Sequence, residues 1–323
     1  MRPILVRHSL ESSAFRAMGT TCSAAVTATP RDARRARLAL AAARAEVAAC
    51  EAALSRFDPA SDLSRLNDAG GEWTAVDSRL VDALRLALRA REDTGGRFDP
   101  TVLPALVAAG YDRSFEQLEE RPAARAAGWR AGAAVELDDE AGLVRLEPGA
   151  AVDLGGIGKG YAATRALDAM HDAWPSLPGG IVDLGGDLAL RGATPEGGPW
   201  RIAVADPRRP GARLGVLVLH GGGVATSGRD VRRFGPGGSL HHLIDPETGA
   251  PAEAGPLTVT VVAPDAAEAE AHATALGISP AAVAAAHVAA HPRISALYLP
   301  HEGAPLPLGE PPLAQTRILV RAA

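Results

Sequence analysis

The spacing of apolar and polar positions changes several times along the chain, and each change predicts an element. Residues 15–26 are small and β-branched and predict a first strand, after a lead-in over residues 1–14 expected to be disordered. From 31 to 56, Ala and Leu recur at helical spacing with Arg and Glu between them. Pro30 and Asp32 stand at the start, so a long helix with a charged outer face is predicted. Residues 55–67 form a loop rich in turn and cap residues. A second helix spans 80–93, capped by Asp77 or Ser78 and stopped by Gly95 and Gly96. Residues 102–109 read as helix, 116–134 as a polar, Ala/Arg-rich surface excursion, and 144–147 as a strand. Further on, the pattern predicts a helix over 162–174 closed by Pro175. Strands follow at 182–186, 200–205, 214–219 and 257–263, and a helix at 266–276. Residues 224–230 and 240–251 read as polar turns on strand ends. The proline-dense stretch 300–312 is expected to run extended over the surface before a final strand at 316–321.

Composition narrows the class. The chain has 323 residues, 47% of them hydrophobic, a formal net charge of -5 and 4% aromatics. That suits a globular protein with ample core and leaves neither the basic footprint nor the stacking platform of a nucleic-acid binder. Cys22 and Cys50 lack CxxC spacing and read as two free thiols in preference to a lone disulfide. No stretch has the uninterrupted apolar length of a membrane helix, and the N-terminal residues carry charges inside their only apolar run. The expectation is a cytoplasmic protein.

Candidate chemistry concentrates in residues 151–161, where four glycines, Asp153 and Lys159 lie between an apolar entry and an alanine-rich exit. Glycines at a strand-to-helix turn admit a ligand close to free backbone N–H groups, which favour an anion. The alternative is a tight turn whose lysine faces water. Neither the P-loop nor the GxGxxG pattern fits. Val152-Asp153-Leu154-Gly155-Gly156 is echoed by Val182-Asp183-Leu184-Gly185-Gly186. His272, His287 and His291 lack the glutamate of a zinc-protease motif and read as solvated helix histidines. Glu270 and Thr274, four apart on one helix, either bind a hard cation such as Mg²⁺ or sit on an ordinary solvated face.

Seven blocks in one order carry a resemblance. They are Met18-Gly19-Thr20; Phe57-Asp58-Pro59 through Asn67; Gly96-Arg97-Phe98-Asp99-Pro100-Thr101; Asp153 through Tyr161; Gly185-Gly186-Asp187; Thr226-Ser227-Gly228; and His242 through Gly249. Together they resemble the ApbE family, the FAD:protein FMN transferases. The resemblance implies an α+β, T-fold-like domain over 15–299, built of two interlocked β/α subdomains in one compact unit, with 300–323 as a proline-rich tail. It also implies FAD as substrate with Mg²⁺ at its pyrophosphate. Met18 would pack against flavin, Phe57 would offer a stacking face, and Arg97, Phe98 and Asp99 would contact FAD. Asp153 would accept hydrogen bonds from the ligand, and Lys159 would neutralise phosphate. Thr226, Ser227, Gly228 and Ile244 fall in blocks that bind the dinucleotide. Gly156, Gly158, Glu270 and Thr274 fall on the metal positions, and His242 on the base that deprotonates the acceptor. The implied partner is an acceptor flavoprotein with a Ser or Thr flavinylation site. Departures are Phe57 where Tyr is common, Arg97 for a small residue, Glu270 for Asp, Thr164 for an acid, and Ala273 where some members carry Asp. Transfer, hydrolysis of FAD to FMN and AMP, and FAD binding without catalysis remain three readings of the same site.

Overall fold

In the computed structural model, residues 8–118, 124–230, 233–310 and 317–320 are described. An eight-stranded sheet runs through the molecule in the order Ser9–Ala17, Thr20–Ala28, Gly179–Leu184, Asp187–Gly192, Gly221–Gly228, Thr258–Ala263, Ser295–Leu299, Leu306–Leu308. Every neighbouring pair is antiparallel. Side chains alternate between its faces. Cys22, Ala24, Val26, Val182 and Leu184 share a core with helices, whereas Leu188, Leu190, Val224 and Val262 pack on the other side with Trp200, Leu217 and Leu219. That second layer is a three-stranded sheet of Trp200–Ala205, Arg213–Leu219 and Arg317–Val320, which contains the expected final strand.

The helices are α1 (Ala33–Leu54), α2 (Asp62–Asp68), α3 (Ser78–Asp93), α4 (Leu103–Ala108), α5 (Gly158–Ala173), α6 (Ala266–Gly277) and α7 (Ala281–Ala290). Buried alanines line the faces of α1 and α5 that pack together, Ala36, Ala39 and Ala43 on one and Ala162, Ala163 and Ala166 on the other. Such small faces let the backbones approach closely. At the start of α5 the approach is extreme, because a Cβ on Gly160 would run into the Ala266 carbonyl of α6.

Four expectations need correction. The first strand is one arm of a hairpin, and residues 9–14 of the supposed lead-in pair with 23–28. That outer strand is mostly exposed, so main-chain pairing holds it and no apolar pattern announces it. Residues 1–7 of the lead-in lie outside the described residues. Thr226, Ser227 and Gly228 belong to a central strand, not a turn, and Thr226 Oγ1 meets Thr260 Oγ1 across the ladder at 2.9 Å. Part of the excursion folds back onto the body: Trp129 Nε1 donates to the Thr101 carbonyl at 3.0 Å and Gly132 N–H to Asp99 at 2.8 Å. Within the proline-dense stretch, Leu306–Leu308 joins the main sheet as its last strand.

Candidate functional site

The chain turns from Leu154 into α5 with the Ile157 and Gly158 N–H groups both donating to the Leu154 carbonyl, at 3.1 and 2.7 Å. Because Gly160 lets α5 cross the first turn of α6, Lys159 comes to lie against Glu270. Lys159 Nζ is 2.5 Å from Glu270 Oε1, and Gly160 N–H donates to Glu270 Oε2 at 2.7 Å. Asp187, at the start of its strand, pairs with Lys159 from the other side. Burial raises the Glu270 carboxyl above the usual carboxylate range, with Lys159 opposing the rise and Asp187 adding to it. Burial alone would lower Lys159, but Asp187 and Glu270 outweigh it and hold the ammonium charged.

One turn along α6, Thr274 Oγ1 donates to the Gly156 carbonyl at 3.3 Å. A Cβ on Gly156 would lie 2.8 Å from that hydroxyl and 3.1 Å from the Phe98 ring, so glycine keeps the carbonyl within reach. Among the described residues no three His, Cys, Asp or Glu side chains are placed to share a metal. One carboxylate and two neutral oxygens, completed by water and ligand phosphate, is nonetheless a donor set that suits Mg²⁺, and Gly156, Thr274 and Glu270 fit it.

These groups form one wall of a cavity of about 950 Å³, and every residue nominated above lines it. Met18 sits at the hairpin tip with φ 50°, held there by its N–H on Glu51 Oε1 at 2.6 Å. Phe57 lines the cavity half exposed. Asp153 is already partnered: Arg56 Nε lies 2.6 Å from its Oδ2 and Gly155 N–H 2.7 Å from its Oδ1. The Arg56 guanidinium in turn lies over the rings of Phe57 and Tyr111, 4.1 and 4.7 Å from their centroids. Asp99 is turned inward, its Oδ1 accepting from Thr101 N–H at 2.8 Å and Oγ1 at 2.7 Å, and its Oδ2 from Gly132 N–H. Its carboxylate therefore shapes the turn beside Phe98.

Arg56, Tyr111 and Asp187 were not nominated from sequence. Asp187 lay inside a quoted block, but Arg56 and Tyr111 reach the cavity only through folding. Of the adjacent imidazoles, His242 lines the cavity while His241 is buried behind it. His241 Nε2 donates to the Ala252 carbonyl at 3.0 Å, and its Nδ1 accepts from Leu243 N–H at 3.3 Å. Burial, then Arg229, lower His241 to about 4. Of the three histidines expected to be solvated, His272 in α6 is buried, whereas His287 in α7 and His291 just after it are partly buried. His272 Nδ1 meets His287 Nε2 at 2.9 Å, His291 stacks on His287 at 4.1 Å, and burial lowers His272 and His287 to about 4 each.

Residues 18–298 match the ApbE family. The chain belongs to that family. ApbE relatives include the FAD:protein FMN transferase of Klebsiella pneumoniae, 33% identical over 72% of this chain and 69% of that protein. Its counterpart in Escherichia coli K12 is 33% identical over 69% of this chain and 66% of that protein. Among solved ApbE structures, the Thermotoga maritima protein superposes with a TM-score of 0.79 at 29% identity, over 93% of this chain and 97% of that one. The flavin transferase ApbE of Vibrio cholerae, at 23% identity, shares the fold with a TM-score of 0.77 over 93% and 97%.

Proposed function

We propose that this protein is an FAD:protein FMN transferase, moving FMN from FAD to a Ser or Thr hydroxyl of an acceptor flavoprotein. The observation that carries the reading is the convergence in one cavity of an ammonium held by two acids, a carbonyl–hydroxyl oxygen pair, and an imidazole. ApbE membership and relatives named for this activity support it.

The acceptor hydroxyl oxygen attacks the FMN phosphorus, the bond from that phosphorus to the bridging oxygen breaks, and AMP leaves with the electron pair. His242 takes the hydroxyl proton, a task suited to an imidazole near neutral pH. Lys159 offsets charge on the pyrophosphate, and the glycine-lined turn admits it close to the start of α5. Gly156, Thr274 and Glu270 would hold Mg²⁺, which when bound supplies further charge neutralisation at the same phosphates. Phe57, Tyr111 and Arg56 offer planar surfaces for a ring of the dinucleotide.

The test is incubation with FAD, Mg²⁺ and a candidate acceptor. Flavin that stays on the acceptor after denaturation is expected. Release of free FMN without labelling would replace transfer by hydrolysis, and unchanged FAD would leave binding alone.

A further inference from the structure

Lys159 stands between two acids and touches both. Its Nζ lies 2.5 Å from Glu270 and is paired with Asp187, and the acid side chains are at most 5% exposed. Two carboxylates and one ammonium leave a surplus negative charge on a buried wall, which a poorly solvating surrounding penalises. Both oxygens of Glu270 are already engaged, one by Lys159 and one by Gly160 N–H. The acid beside Thr274 and Gly156 is thus satisfied by the chain itself. Any cation binding there competes with Lys159 for Glu270.

Resting on the transferase reading above, we infer that Lys159 is the resident counter-cation of Glu270 and that Asp187 is its positioning residue. When Glu270 turns to a divalent cation, Asp187 keeps the ammonium at the cavity wall with its remaining N–H bonds free for the pyrophosphate. Asp187 is suited to this because its side chain is buried and its backbone pairs with Leu184 inside the main sheet, so it cannot follow Lys159 outward. The incoming charge turns the local surplus from negative to positive, which matches a doubly anionic ligand. Arg56 also lines the cavity but is paired with Asp153, away from Glu270.

Mn²⁺ binding to the FAD-free protein, followed by electron paramagnetic resonance, tests the competition directly. Lys159→Met should tighten Mn²⁺ about tenfold. Arg56→Met, which removes a positive charge from the same cavity, should change it less than about threefold, as expected for a charge not competing for the ligand. An unchanged constant for Lys159→Met, or a shift no larger than that of Arg56→Met, overturns the competition. Lys159→Gln provides the same comparison if the methionine variant does not fold. Asp187→Asn leaves Lys159 to Glu270 alone, so it should loosen Mn²⁺ about tenfold and lower kcat for transfer with KM for FAD within about twofold. In the Lys159→Met background, Asp187→Asn should lower kcat no further; an equal loss in both backgrounds overturns the positioning role. The Mn²⁺ measurements need no turnover. Failure of labelling with the expected Mn²⁺ shifts would therefore sink the transferase reading while leaving the competition in place.

Discussion

His241 and His242 are adjacent in the chain and opposite in surroundings. The first is buried with both ring nitrogens hydrogen-bonded to main chain, and the second lines the cavity. His242→Ala should cut FMN transfer by about a hundredfold to ten-thousandfold, the usual worth of a general base. FAD affinity, read by quenching of flavin fluorescence, should stay within about twofold. An unaltered transfer rate would remove His242 from the reaction. The same substitution at His241 should instead lower stability by about 1–3 kcal/mol, through a buried carbonyl and N–H left unmatched, with denaturant unfolding as the readout. The letters alone do not separate the two, because what distinguishes them is which one faces the core. Asp99 shows the same limit. Its place beside Phe98 was legible, but its inward turn depends on Gly132, a residue of the excursion that looked like surface.

At the scale of elements, the strand-to-helix character of residues 151–161 was legible and the duties of its glycines were not. Gly160 answers to α6, 110 residues away. Gly160→Ala should lower unfolding stability by about 1–3 kcal/mol, the range for overpacking, because the obstruction is main chain and cannot swing aside. Gly158 differs: the nearest atom to a Cβ there is 3.8 Å away, an ordinary contact. Gly158→Ala should therefore hold or raise stability, by up to about 1 kcal/mol from helix propensity. Equal losses in the two variants would show that the helix crossing is not what selects glycine at 160. The central strand Gly221–Gly228 escaped notice for a related reason. It opens with three glycines, of which Gly223 abuts the backbone of Ala266, so its apolar alternation is thin where α6 comes closest.

For the molecule as a whole, histidines held neutral by burial, full at His241 and partial at His287, tie folding to pH. His241 and His287 titrate near 4 in the folded chain, against about 6.5 for an exposed imidazole. Since the folded values are depressed, the unfolded chain binds more protons in between. Stability is therefore full above about pH 6.5 and is lost as the pH falls through about 4, with a slope of up to roughly 1.4 kcal/mol per pH unit for each group. Urea unfolding from pH 7.5 down to 4.5 should trace that fall, and a flat profile would show these imidazoles to be charged or solvated. The mixed architecture was readable from alternating helix and strand texture, and the family-like blocks marked the cavity's wall. The outer strand and the layering of two sheets were not readable, because pairing partners are chosen in three dimensions.

The meeting of α5 and α6 at Gly160 and Ala266 is main chain against main chain. The gap between the charged positions that flank this junction is therefore inherited from peptide planes, which do not change when residues do. Hydrophobic residues elsewhere can drift in size over many generations without retuning that spacing, whereas the junction itself has no substitute of equal slenderness. A catalyst built this way tolerates a loosely specified interior, and what it demands at this junction is a single hydrogen where every other amino acid carries a carbon.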